Sequence, residues 1–187
     1  SIDMLGSETK VDDILKGINQ SLLRNINYKF QLYGSEALIK KKIEKYKRLI
    51  QVSEIIDCDS FISMDDKPAD IVRTKENSSM YRAIKAVKDN HSDALLSFGN
   101  TGALMSLSTL HIKTLEFIRR PAIASIWPNM LGESIVLDLG ANTKLDARYL
   151  IDNSILGASL AVILFKIDSP SVGLLNVGVE DNKGREE

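Results

Sequence analysis

The chain has 187 residues, 44% hydrophobic and 26% charged, so it can bury a sizeable core and is neither a disordered segment nor a disulfide scaffold. Its 24 Lys and Arg balance 25 Asp and Glu to a net charge of −1, which excludes a globally basic nucleic-acid binder. A single cysteine, Cys58, and two distant histidines, His91 and His111, exclude an internal disulfide and supply little for a metal cluster or a histidine triad.

Ser1-Ile2-Asp3 reads as the tail of a strand, and a charged stretch, Asp181 to Glu187, follows the last expected strand. Both ends are expected to be cuts through a fold. The spacing predicts a helix over Val11 to Asn25, then a strand from Tyr28 to Tyr33 ending at Gly34. Ser35 is a candidate N-cap for one helix running to about Ile50, with Leu38, Ile39, Ile43, Tyr46, Leu49 and Ile50 as its stripe. A short strand is expected at Val52 to Ile56, and an irregular region from Asp57 to Asn77 containing the polar loop Met64 to Ala69. Ser78 or Ser79 can cap a helix to about Asn90. Ala94 to Phe98 reads as a buried strand that turns through Gly99-Asn100-Thr101-Gly102 into a helix starting near Ala103. Further strands are expected at Ala122 to Ile126, Ile135 to Leu139 and Val172 to Val177, with a long apolar helix from Leu150 to Phe165. Apolar strands alternating with helices are the pattern of a parallel sheet covered on both faces, in one α/β domain over 1–187. The longest apolar run, Ile155 to Phe165, falls short of the roughly 20 residues of a bilayer span, and no secretory leader is expected at Ser1. A cytoplasmic protein is expected.

Three strands lead into small polar turns: Gly99 to Gly102, Gly140-Ala141-Asn142, and Gly178. In an open parallel sheet, ligands bind beyond the carboxyl ends of the strands. Glycine lets a backbone approach a ligand closely, and a helix N-terminus offers amides and a positive dipole end. The turn at Gly99 to Gly102 suits a phosphate or other small anion, or is a tight connection with no ligand. Lys183 could neutralise a phosphate as a point charge or be a solvated loop lysine. Lys40, Lys41, Lys42, Lys45, Lys47 and Arg48 form either the solvated face of an amphipathic helix or a dock for an acidic partner. His111 is expected to pack at a helix end. Walker, Gly-x-Ser-x-Gly and Gly-x-Gly-x-x-Gly patterns are absent, which argues against a P-loop NTPase, a standard α/β-hydrolase and a Rossmann dehydrogenase.

The motifs Met64-Asp65-Asp66-Lys67-Pro68, Ser78-Ser79-Met80, Ser97 to Met105, Arg120-Pro121-Ala122, Leu137 to Asn142, Val172 to Gly178 and Lys183-Gly184 together resemble one family, in order and over nearly the whole chain. This is the family of bacterial phosphate acyltransferases of phospholipid synthesis, the PlsX family. The opening Ile2 to Glu8 is similar to the family's Ile-Asp-Ala-Met-Gly-Gly-Asp, with Ser7 and Glu8 as replacements. Asp152 to Gly157 replaces a Gln-Phe-Ala-Met-Gly-like stretch, and Arg185 replaces an asparagine.

The resemblance implies transfer of a fatty acyl group from acyl carrier protein to inorganic phosphate. It implies a three-layer α/β/α fold with a mostly parallel sheet, related to isocitrate and isopropylmalate dehydrogenases and to phosphotransacetylases. It also implies a homodimer, no metal or organic cofactor, no nucleic-acid partner, and peripheral membrane association. Family chains continue well beyond the Lys-Gly motif, so 1–187 is expected to be an N-terminal part. Carried onto this sequence, Gly99, Asn100, Thr101, Gly102 and Gly140 would bind phosphate, and Asp3 and Gly6 would line the same edge. Lys183 would offset charge, and Asn142 would orient phosphate or the oxyanion through its amide. A short-chain acyl-CoA phosphotransacylase and a non-catalytic remnant or interaction protein are the alternatives.

Overall fold

Ile2 and Met4 turn into one apolar cluster while Asp3 between them faces the other way, the period-two alternation of a strand. The computed structural model describes residues 1–24, 27–67, 71, 75–142, 146–176 and 178. The chain divides into two units, Ser1–Lys113 and Thr114–Glu187.

The first unit runs β1 (Ile2–Asp3), α1 (Val11–Leu22), β2 (Phe30–Gly34), α2 (Glu36–Ile43), α3 (Lys47–Gln51), β3 (Ser53–Asp57), α4 (Ser79–Lys88) and α5 (Thr101–His111). The three strands pair in parallel in the order β1-β2-β3, with Leu32 opposite both Ile2 and Ile55. Helices cover both faces. Ile14, Leu15, Ile18, Leu22, Ile39, Ile43 and Leu49 pack with Ile2, Met4 and Leu32 on one side. Ala83 and Ala86 of α4 pack with Tyr33 and Cys58 on the other. A fully buried Leu or Ile contributes about 1.5–3 kcal/mol, so these stripes hold the helices to the sheet.

The single helix expected from Ser35 to Ile50 is two helices. A continuous helix would bring Leu49 off the stripe set by Ile39 and Ile43, because six residues rotate it about 120° away. The break at Tyr46, with φ −115° and ψ 73°, turns Leu49 into the core and leaves Ile50 45% exposed. Ser35 does cap α2, accepting from the Leu38 amide. The two candidate serines before α4 divide the work: Ser78 caps, accepting from the Tyr81 amide at 3.3 Å, and Ser79 reaches the sheet.

The strand expected at Ala94 to Phe98 is reduced to one parallel bridge, Leu96 opposite Ile2. It is not buried either: Leu96 is 47% and Phe98 45% exposed, because the segment runs along the edge of the described sheet.

The second unit contains β4 (Ser125–Asn129), β5 (Gly132–Val136) and α6 (Ala147–Phe165). β4 and β5 are not parallel strands of a covered sheet but an antiparallel hairpin whose tip is Met130-Leu131. Pro128 lies within β4, opposite Glu133, rather than closing the strand. β4 is exposed throughout, which fits a proline in an edge strand. Residues 172–176 form no strand. α6 is capped by Asp146, whose carboxylate accepts from the Tyr149 amide at 2.7 Å. It begins eight residues before Ile155, where the apolar run starts, and at 19 residues and mean hydropathy 1.4 it is long and apolar enough to cross a membrane by length and composition. Its first turns nonetheless carry the buried Tyr149, Asp152 and Asn153. Tyr149 donates to Asp138, and Asp152 accepts from the Arg119 amide, which ties the helix to the rest of its unit.

Candidate functional site

In the first unit, chain segments from four places meet where β1 ends. Asp3 is the pivot. Its carboxylate is 2% exposed and accepts from Ser79 Oγ at 2.6 Å, Ser97 Oγ at 2.8 Å and the Leu5 amide at 3.3 Å. Burial raises the Asp3 carboxyl above the usual range, and the three hydrogen bonds pull against that rise. Ser97 is double-faced: its hydroxyl hydrogen goes to Asp3, and its oxygen accepts from the Gly99 amide at 3.1 Å. Gly99 lies so close beneath that a Cβ there would come within 2.9 Å of Met80 Cε.

A glycine-dependent contact and an asparagine clamp complete the edge. Gly6 has φ +74°, and a Cβ on it would be 2.1 Å from the Ile62 carbonyl oxygen, so only glycine fits. The loop that follows Ile62 is held by Asn100. The Asn100 Nδ2 donates into the carbonyls of Ser63, Met64 and Asp66 at 3.3, 3.0 and 3.0 Å. Its Oδ1 caps α5 by accepting from the Ala103 amide at 3.0 Å. The turn from Gly99 to Gly102 is therefore clamped below by Ser97 and sideways by Asn100. Thr101 and Gly102, both exposed, open α5 with the first-turn amides that a helix leaves without partners.

In the second unit, Asp138 organises the turn at Gly140. Its two carboxylate oxygens accept from the amides of Ile123, Ala141 and Asn142, from Asn142 Nδ2 at 3.0 Å and from Tyr149 Oη at 2.7 Å. Burial pushes the Asp138 carboxyl up, but Tyr149, Asn142 and the backbone amides together outweigh it and hold it below the usual range. Tyr149 is 2% exposed, and burial followed by the Asp138 charge pushes its phenol up to about 12. The Asn142 Nδ2 also donates to the Pro121 carbonyl at 2.9 Å and to Tyr149 Oη at 2.6 Å. Arg119 joins Asp146 at 2.9 Å, and both Arg119 and Arg148 flank the fully buried Asp152.

A family model described as "Fatty acid synthesis protein" matches residues 1–187. The chain belongs to this family. Proteins named "Phosphate acyltransferase" from Sinorhizobium fredii and Xanthobacter autotrophicus are each 43% identical to it, and one from Chelativorans sp. is 44% identical. Each alignment covers 100% of this chain and 54%, 53% and 54% of the respective relative. The chain thus spans about half the length of the curated relatives it matches.

Set against the residues that the family resemblance implied, the structure gathers Asp3, Gly6, Gly99, Asn100, Thr101 and Gly102 at one strand-end edge of the first unit. Gly140 and Asn142 lie in the second unit, in the turn held by Asp138. Lys183 lies outside the described residues. The side chains of Asn100 and Asn142 each spend their amide nitrogen on protein acceptors. Sequence reading missed Ser79, Ser97, Asp138 and Tyr149 as organising residues. The available signal was a polar side chain within an apolar strand-like run, since a buried polar group implies a partner.

The basic run is partly internal. Lys40 pairs with Glu36 at 2.5 Å, and Lys42 and Lys45 both engage Asp12 of α1. Those lysines hold the Asp12 carboxyl below its usual range, while Lys41, Lys47 and Arg48 face solvent. His111 packs edge-on against Tyr81, with ring centroids 4.9 Å apart, as expected of a helix-end histidine. Among the described residues, no three His, Cys, Asp or Glu side chains are grouped to hold a metal ion.

Proposed function

We propose that this chain carries the phosphate-binding part of an acyltransferase that moves a fatty acyl group from acyl carrier protein to inorganic phosphate. One observation carries the reading: beside the end of a parallel strand, Ser97 and Asn100 fix the two ends of the Gly99–Gly102 turn, and Thr101 and Gly102 are exposed at the start of α5. The name shared by the relatives gives the anion that such an edge would take.

Phosphate is a competent nucleophile at neutral pH, so no activated serine or cysteine is needed. A phosphate oxygen attacks the thioester carbonyl, and a tetrahedral intermediate forms. The C–S bond then breaks, the sulfur leaves as thiolate and takes a proton, and acyl phosphate is released. Holding phosphate still supplies rate through proximity and orientation. In this reading the Thr101 and Gly102 amides face the phosphate oxygens, aided by the α5 dipole. Asn100 acts through the loop at Ser63 to Asp66 rather than on phosphate directly. Lys183 and Asn142 are assigned to charge compensation and to orientation during acyl transfer.

The same proposal includes a three-layer α/β/α fold for the whole protein, a homodimer, and a cytoplasmic enzyme at the membrane periphery, where its lipophilic product is used. The test is incubation of the 187-residue protein with long-chain acyl-carrier protein and phosphate, and quantification of acyl phosphate. Phosphate-dependent product supports the reading. Turnover of short acyl-CoA in preference replaces the carrier-protein substrate, and no product from either overturns activity of these residues alone.

A further inference from the structure

We infer that Ser97 is a positioning residue for the phosphate turn, relaying the buried Asp3 carboxylate to the Gly99 amide and so fixing which amides of the turn face the anion. This rests on the reading of Gly99 to Gly102 as the phosphate site.

The direction of the relay follows from donor counting. Ser97 Oγ has one hydrogen, and Asp3 Oδ2 at 2.8 Å is an acceptor only, so the hydrogen goes there. What remains on Ser97 Oγ is lone-pair density, and the Gly99 amide donates into it at 3.1 Å. The peptide plane entering Gly99 is thereby turned inward. At the other end of the turn, Asn100 Oδ1 takes the Ala103 amide. Two side chains thus remove the amides of Gly99 and Ala103 from contention; those of Asn100, Thr101 and Gly102 lie between them, and the last two open the exposed first turn of α5.

Asp3 does not act alone. Ser79 at 2.6 Å occupies its other oxygen, so the carboxylate cannot swing away from Ser97 without abandoning a short charge-assisted bond. Ser79 opens α4 and Met80 follows it, with Cε against Gly99. The turn is seated on α4 as well as on β1. Ser97 is half-buried, and its hydroxyl is taken up on both sides, by Asp3 and by the Gly99 amide. Its effect reaches a ligand only through Gly99.

The experiment measures inorganic phosphate binding to the 187-residue protein by calorimetry and by amide chemical shifts, for the unaltered chain, Ser97→Ala and Ser97→Thr. The expected result is about tenfold weaker binding for Ser97→Ala and recovery in Ser97→Thr, which restores the hydroxyl. In the unaltered protein, phosphate should shift the Thr101 and Gly102 amides, while the Gly99 amide stays protected from exchange and hardly moves. This second measurement decides the matter even where Ser97→Ala fails to fold. A purely structural serine would lower the melting temperature and leave the affinity of the folded protein unchanged, which overturns the inference. A Gly99 amide that responds most strongly to phosphate also overturns it. If the unaltered protein binds no phosphate at all, the reading of the turn falls and takes the inference with it, a result distinct from unchanged affinity in Ser97→Ala.

Discussion

Asp3 and Asp138 each organise a glycine-containing turn, yet their carboxyls are displaced in opposite directions. Asp3 is almost fully buried and receives three donors, two of them neutral hydroxyls. Asp138 is half-buried and receives five, three of them backbone amides. Burial dominates the first and donors dominate the second. The difference separates two uses of one residue type. Asp138 closes its own turn on itself, whereas Asp3 projects its charge through Ser97 into a turn that begins more than ninety positions later.

Breaking each pivot is expected to give the largest effects. Asp138→Ala orphans five donors and should destabilise the protein by about 3 kcal/mol, a figure that already allows for water reaching a half-buried site. Asp3→Ala should cost less, about 2 kcal/mol, because two hydroxyls can rotate towards other acceptors and an unfavourable buried charge is removed. Denaturant midpoints compare the two, and a greater loss in Asp3→Ala would reverse the ranking of donors over burial.

A subtler effect is pH dependence. Asp138 has a folded pKa below its unfolded one, so its contribution is present above the usual carboxylate value and is lost as pH falls through that range. Asp3 has a raised folded pKa, so its contribution is present below the usual value and is lost as pH rises through the raised one. Stability measured from pH 3 to pH 7 should therefore flatten at and below the usual carboxylate value in Asp138→Asn, and in Asp3→Asn should lose a decline that lies above that value. Tyr149→Phe should be the smallest of the three. It removes one hydroxyl between Asp138 and Asn142, at about 1 kcal/mol. It should also delete a phenol that, in the unaltered chain, stays protonated until about pH 12, read as tyrosinate absorbance.

The legible part of this molecule was whatever local chemistry decides. Ser35 and Ser78 were readable as caps because each accepts from an amide three residues on. The break at Tyr46 was not legible, because it exists to bring Leu49 to residues such as Ile14 and Leu32. The hairpin of β4 and β5 was taken for two covered strands because apolar runs do not state which partner, or which direction, they will find. The site shows the same limit. The glycines of the turns stood out, while Ser97 and Ser79 became visible only with Asp3, their distant partner, in place.

Four of the five methionines form a graded set of probes for oxidative footprinting. Met130, at the hairpin tip, is fully exposed, and Met64 is 48% exposed, whereas Met4 and Met80 are each 1% exposed. Dilute peroxide should convert Met130 to its sulfoxide first and Met64 next. Met4 lies in the core beneath β1, and Met80 presses on Gly99, so oxidation of either reports that the first unit has opened. Mass spectrometry of peptides collected over time then yields an opening rate for the foundation of the Gly99–Gly102 turn, with Met130 as the internal measure of oxidant dose.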